Sequence, residues 1–239
     1  MKDFRNLFRI GFLSFLIGGC CSGVSNETLM QPRTSNESQE MKNKVAVERL
    51  RQATVAIMES TPEINFATCS GIWIAKDLIL TAAHCVEDNL IMEYSHVDEI
   101  GDRKRRSAVA VAVEKNIDLA LLMTKSDDVD HPVITLTNQT ISTGDPVHII
   151  GHPAGYAWSY MLGHVSAIRP DMKGPMSSIK KVVQISAPVW MGNSGGGAFD
   201  ENGNLIGLCS WISKMGPNLA FFIHRDVVEE FLLRHTDNN

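Results

Sequence analysis

The chain has 239 residues, 22 Lys and Arg against 27 Asp and Glu, and a formal charge of −5. Its composition, 44% hydrophobic and 21% charged, is that of a globular protein and excludes wholesale disorder. The mild acidity and the lack of a long basic stripe give nucleic acid no footing. Five cysteines exclude a disulfide-dense mini-scaffold, and no run approaches the roughly 20 apolar residues of a spanning helix.

At the N-terminus Lys2, Arg5 and Arg9 precede an apolar stretch from Ile10 to Ile17, which ends at Gly18, Gly19 and Cys20. A basic start, a short apolar run and small residues make an export signal. Ile17-Gly18-Gly19-Cys20 also resembles the bacterial lipoprotein cleavage box, which implies a lipid on Cys20; the alternative is a plain secretory signal cut nearby. Acyl chains would anchor the mature protein through about 0.8 kcal/mol per buried CH₂. After this signal (residues 1–20), residues 21–44 are rich in Ser, Asn, Glu and Gln and cannot bury enough apolar surface to offset ordering entropy. They read as a flexible tether that holds a domain, residues 45–236, at a membrane of the cell envelope.

A short helix is expected near 45–52. From Thr54 the pattern changes to short β-branched or apolar runs: TVAIM, FATCSGIWIA, LILTA, SAVAVAVE, DLALLM, PVHIIG, YMLGHVSAI, KKVVQIS, GGAFD, LIGLCSW and LAFFI. Gly, Pro, Asn or Asp separates most of them. Such a series without long intervening helices predicts an all-β sandwich or barrel. One helix is expected from Arg225 to about Arg234, with Val227, Val228, Phe231 and Leu232 on one face. No repeat of fixed period is visible, though two barrels of duplicated topology need not show one.

Three segments carry chemistry: Leu80-Thr-Ala-Ala-His84-Cys85, Asn116-Ile-Asp118-Leu-Ala-Leu-Leu122 and Gly192-Asn-Ser194-Gly-Gly-Gly197. A serine hydroxyl is a poor nucleophile without a base to take its proton and donors to hold the oxyanion. The glycines around Ser194 allow close backbone approach, but they are also ordinary turn formers. The segment fits the G-x-S-x-G pattern of α/β-hydrolases too. That fold requires a helix after the serine and its acid and base later in the chain. Three glycines are poor helix sequence, and only 45 residues follow Ser194. His84 follows an apolar strand and stands beside Cys85, 16 residues after Cys69. In an exported protein this pair can close the loop that presents His84, for about 3 kcal/mol; kept reduced, the two would be buried thiols. Asp118 opens a strongly apolar strand, where a carboxylate needs a partner such as an imidazolium. The order His, Asp, Ser is that of chymotrypsin-type enzymes.

On these residues the chain resembles the chymotrypsin-fold, trypsin-like serine peptidases, in particular the HtrA-type bacterial protease domain. The resemblance continues through Ile150–Gly155, Gly163–Ile168 and Leu205–Trp211, over roughly residues 53 to 233. It implies two six-stranded antiparallel β-barrels with the active site in the cleft between them. Ser194 would be the nucleophile, His84 the general base, Asp118 its orienting carboxylate, and the N–H groups of Gly192 and Ser194 the oxyanion hole. The resemblance places the floor of the primary pocket at Pro188 and its walls at Ser210, Trp211, Ile212 and approximately Ala220. No acid lies among them, so Lys or Arg would enter unpaired. With Ile212 where a small glycine is common, a shallow pocket for small or medium aliphatic side chains is expected.

Asn193 stands where secreted zymogens carry an Asp, and no Ile-Val-Gly-Gly segment precedes the first strand, so activation by a freed N-terminus is not expected. The short stretch after the last helix leads us to expect no regulatory peptide-binding domain. The reading is an exported serine endopeptidase acting on protein or peptide substrates, without metal or cofactor. Its rival is a catalytically latent protein-binding module on the same fold. His148 and His152 are four apart, but Gly151 and Pro153 argue against a helical metal site. Asp102–Arg106 reads as a solvated basic loop, and Cys209 as a buried unpaired thiol.

Overall fold

The computed structural model describes residues 44, 46–58, 67–86, 91–96, 105–125, 130–175 and 177–236. The export signal, Cys20, nearly all of the tether and residues 102–104 of the basic run lie outside the described residues. The described residues all belong to one contact unit.

Helical residues 46–52 lead into twelve strands among the described residues. The first six are β1 (Thr54–Met58), β2 (Cys69–Ala75), β3 (Leu78–Thr81), β4 (Ile91–Ser95), β5 (Arg106–Glu114) and β6 (Leu119–Thr124). They close into an antiparallel barrel in the order β1-β2-β3-β6-β5-β4. The others are β7 (Pro146–Gly151), β8 (Ser159–Lys173), β9 (Ser178–Ser186), β10 (Gly197–Phe199), β11 (Leu205–Ile212) and β12 (Ala220–His224). Their barrel runs β7-β8-β9-β12-β11-β10, the same order displaced by six strands. The expected architecture is thus present, with its topology duplicated and no matching sequence repeat. Closure leaves neither sheet an open edge.

Strand alternation sorts the side chains into three cores. Val55, Ile57, Trp73, Ile79, Tyr94 and Leu122 fill the first barrel; Val147, Ile149, Val183, Ile185 and Phe222 fill the second. The residues next to them in sequence face the other way. Ile72, Leu80, Leu121, Ile150, Phe221 and Ile223 form a third cluster made by both barrels. This shared cluster, together with the Trp158 indole N–H donating to the Thr54 carbonyl at 2.8 Å, fixes one barrel on the other.

The C-terminal helix, Arg225–Thr236, packs Val227, Val228 and Phe231 into the shared cluster. His224 accepts the Asp226 N–H through Nδ1 at 3.1 Å. Asp226 in the first turn, and Arg234 and His235 in the last, suit the helix dipole. Arg234 and His235 also grip Glu114 on β5, at 3.0 and 2.8 Å. Burial opposes it, but hydrogen bonds from His235 and Arg234 hold the Glu114 carboxyl below the usual carboxylate range. One strand, β4, was absent from the runs read in the sequence. Its inward residues Met92 and Tyr94 alternate with exposed Ile91 and with Glu93.

Candidate active site

His84 lies in the single 3₁₀ turn Ala83–Cys85 that follows β3. A disulfide joins Cys85 to Cys69 on β2, so the turn is stapled to the neighbouring strand. A ring nitrogen of His84 lies within 4.8 Å of both sulfurs; bonded to each other, these offer no thiolate to a metal.

Asp118 ends the turn before β6 in a left-handed conformation, φ +59°. Short polar side chains tolerate that region where most residues do not. Its carboxylate is almost wholly buried, and among the described residues it is met by three groups, a ring nitrogen, a backbone N–H and a hydroxyl. His84 Nδ1 lies 2.9 Å from Oδ1 and 3.0 Å from Oδ2. The His84 backbone N–H donates to Oδ1 at 3.0 Å, and the Ser210 hydroxyl donates to Oδ2. With a carboxylate facing Nδ1, the neutral imidazole carries its proton there and leaves Nε2 as a base.

Ser194 is brought to the same place by its backbone. Its carbonyl accepts the Ser70 N–H at 2.8 Å and lies 3.6 Å from the Cys85 sulfur, next to His84 in sequence. Gly195 follows with φ +80°, and a Cβ there would meet the Ser70 carbonyl oxygen at 2.2 Å and Thr81 Oγ1 at 2.3 Å. Only glycine lets the serine turn lie this close to β2 and β3. The Ser194 hydroxyl is half-buried and makes no hydrogen bond among the described residues.

The preceding residues form a turn closed by Asn193 N–H donating to the Trp190 carbonyl at 3.1 Å. Gly192, φ +98°, takes the third position, where a type II turn demands glycine. Asn193 is fully buried, and its amide also donates to the Trp190 carbonyl, at 2.9 Å. The turn therefore closes without a charged partner. The Met191 carbonyl accepts the Ala154 N–H at 2.7 Å. In a trans peptide the N–H points opposite to the C=O, so the Gly192 N–H is directed away from the 152–155 turn. Among the described residues neither the Gly192 nor the Ser194 N–H donates a backbone hydrogen bond.

The expected pocket residues are placed unevenly. Pro188 is exposed, and Trp211 is half-buried and stacked on Phe221 at 4.9 Å. Ile212 packs against the second barrel's core. Ser210 turns its hydroxyl to Asp118, and Ala220 is 0% exposed within that core. What these two can offer a bound peptide is main chain. His148 pairs with the Tyr160 hydroxyl at 2.8 Å, while His152 is wholly buried against Ser70, so the two histidines do not converge. Cys209 is a buried free thiol, raised by burial and by the Asp118 charge. The donors on Asp118 from Ser210, and on the Gly192 carbonyl from Ser70, were not read from the sequence, because partners 92 and 122 residues apart leave no local pattern.

With this fold and site in view, the chain belongs to the trypsin-like peptidase domain family, whose model matches residues 69–208. It is 31% identical over 176 residues to Protease Do-like 2, chloroplastic, of Arabidopsis thaliana, covering 72% of this chain and 28% of that protein. It is 34% identical over 149 residues to a probable periplasmic serine endoprotease, DegP-like, of Pseudomonas fluorescens, covering 60% of this chain and 29% of that one. The chain thus spans less than a third of the length of either relative. Among solved structures, the active form of the Rv3671c protease from M. tuberculosis superposes with a TM-score of 0.71 at 20% identity, covering 83% of this chain and 87% of that one. The HtrA-type protease AlgW with a tripeptide gives 0.69 at 25% identity, covering 81% and 64%.

Proposed function

We propose that the protein is a serine endopeptidase of the HtrA type. The observation that carries this reading is the His84–Asp118 pair at 2.9 Å, set beside the Ser194 turn by the disulfide and by the Ser70 N–H. Ser194 Oγ attacks the scissile carbonyl while His84 Nε2 takes its proton. Asp118 keeps the ring in the correct tautomer and stabilises the imidazolium. The N–H groups of Gly192 and Ser194 receive the oxyanion, and His84 then protonates the leaving amine. Water reverses the sequence and releases the acid. Contacts between nucleophile and base tighten when substrate binds, so an unpaired Ser194 hydroxyl is compatible with this role.

The substrates are protein segments, with small or medium aliphatic residues preferred before the cut. Support comes from the lack of an acidic group at Pro188, Ser210, Trp211, Ile212 and Ala220. The AlgW structures hold a tripeptide and a decapeptide, and the DegP-like relatives are named periplasmic. We place this protein in the cell envelope as well, exported by its N-terminal signal and held at a membrane through a lipid on Cys20.

Hydrolysis of an unfolded protein and of a peptide library tests the activity and its preference. The expected result is cleavage after Ala, Val or Leu by the wild type and none by Ser194→Ala. A profile led by Arg and Lys would overturn the pocket reading. Metabolic labelling with a fatty acid, lost in Cys20→Ala, tests the anchor.

A further inference from the structure

Ser70, on β2 and 0% exposed, grips the second barrel twice. Its N–H donates to the Ser194 carbonyl at 2.8 Å, and its hydroxyl donates to the Gly192 carbonyl at 2.8 Å. These are the two residues whose N–H groups serve as oxyanion donors in the proposed mechanism. The same hydroxyl lies 2.8 Å from Nδ1 of His152, which is itself 0% exposed and stands edge-on to Trp158 at 4.7 Å.

A hydroxyl has a single proton, so the three groups must agree on where protons sit. The Gly192 carbonyl can only accept. If Ser70 donates to it, Oγ accepts from His152, whose proton is then on Nδ1 while Nε2 is bare. In the other tautomer Ser70 would donate to Nδ1. The Gly192 carbonyl would then face an oxygen lone pair at 2.8 Å; Nε2, which meets no partner among the described residues, is unsatisfied in either tautomer and does not decide between them. The first arrangement satisfies both short contacts; the second satisfies one. Burial also keeps the ring neutral, its pKa pushed down to about 3.

We propose that His152 is a positioning residue for the oxyanion hole: its Nδ1–H commits the Ser70 hydroxyl proton to the Gly192 carbonyl and so holds the turn that aims the Gly192 N–H into the cleft. The backbone of His152 acts on the same residue, because a Cβ on Gly192 would lie 2.1 Å from the His152 carbonyl oxygen. The proposal rests on the hydrolase reading for its effect on rate, but the tautomer does not depend on that reading.

The test uses the full chain with ¹⁵N-labelled histidine and a peptide substrate. Long-range ¹H–¹⁵N spectra should show His152 as the neutral Nδ1–H tautomer from about pH 8 down to about pH 5. An Nε2–H tautomer, or a ring that titrates near its ordinary value, overturns the relay whether or not the protein cleaves anything. His152→Ala should lower kcat about ten- to a hundredfold with KM little changed, since the interaction serves the transition state. Affinity for a peptide aldehyde should fall by the same factor, while affinity for a product peptide should not. His152→Asn, whose amide N–H can stand in for Nδ1–H, should recover most of the loss. Equal losses in the Ala and Asn variants, or a kcat for His152→Ala within about twofold of wild type, overturn the proposal. Should His152→Ala not fold, Ser70→Ala removes the same donor to Gly192 and is expected to reproduce the kcat loss. A wild type that neither cleaves peptide nor takes up an active-site serine probe brings down the hydrolase reading, while the spectra still decide the relay.

Discussion

His84 meets the Asp118 carboxylate twice, through its ring at 2.9 Å and through its own backbone N–H at 3.0 Å, both on the same oxygen, Oδ1. Ring orientation and turn position are therefore set by one side chain. Asp118→Asn keeps the size but can present an N–H to Nδ1, favouring the wrong tautomer. It is expected to lower kcat by about 10⁴ while leaving the melting temperature close to that of the wild type. Turnover of a peptide substrate, measured beside thermal unfolding, checks both halves of this prediction.

The disulfide between Cys69 and Cys85 closes a loop with a sequence separation of 16 that carries the His84 turn at its end. Removing it releases loop entropy to the unfolded chain and loosens the His84 turn at the same time. The double variant Cys69→Ala, Cys85→Ala is expected to lose about 2–5 kcal/mol. Denaturant unfolding of wild type and variant, with and without reductant, reads the loss; reductant should destabilise only the wild type.

Gly195→Ala places a methyl group against the Ser70 carbonyl, Thr81 Oγ1 and the Ala82 backbone, at 2.2, 2.3 and 2.9 Å, and in a left-handed conformation. The backbone atoms cannot move aside cheaply, so the serine turn must shift. The expected outcome is loss of peptide cleavage and a stability loss of about 1–3 kcal/mol, measured by activity and thermal melts.

Stability should fall with acid before the carboxylates titrate. Burial holds His152 neutral, its pKa down at about 3. His224 is held down at about 4, first by burial, with the Asp226 charge opposing. The unfolded chain takes up these protons near pH 6.5, earlier than the folded chain does. The stability they contribute is thus complete above that pH and declines as pH falls toward the folded values. Each contributes a slope of at most about 1.4 kcal/mol per pH unit. Denaturant unfolding between about pH 7 and 4.5 should show this slope, and His224→Gln should reduce it by about one proton.

The sequence made much of the candidate site's local structure legible. His84, Asp118 and Ser194 each sit in a short segment whose composition reports a local need: a strand end, a carboxylate before an apolar strand, a glycine-rich turn. The eleven strand runs and the terminal helix were visible because alternation and apolar faces are local patterns. Strand β4 was not, since Glu93 breaks the run and Ile91 is an apolar residue on the outside, 62% exposed. Nor could the text show that Ser210 points at Asp118 rather than into a pocket. A strand's two faces look alike until the partner, 92 residues away, is in place. The duplicated strand order was hidden for a related reason: barrel closure constrains inward size and polarity, which many unrelated sequences satisfy.

The most direct test of the central claim is labelling of the folded protein by a fluorophosphonate, which reacts only with a serine activated by a neighbouring base. The account predicts stoichiometric labelling of the wild type, none of Ser194→Ala, and labelling slowed by several orders of magnitude in His84→Ala. Folded wild type that stays unlabelled, or a Ser194→Ala variant that still labels, would contradict it.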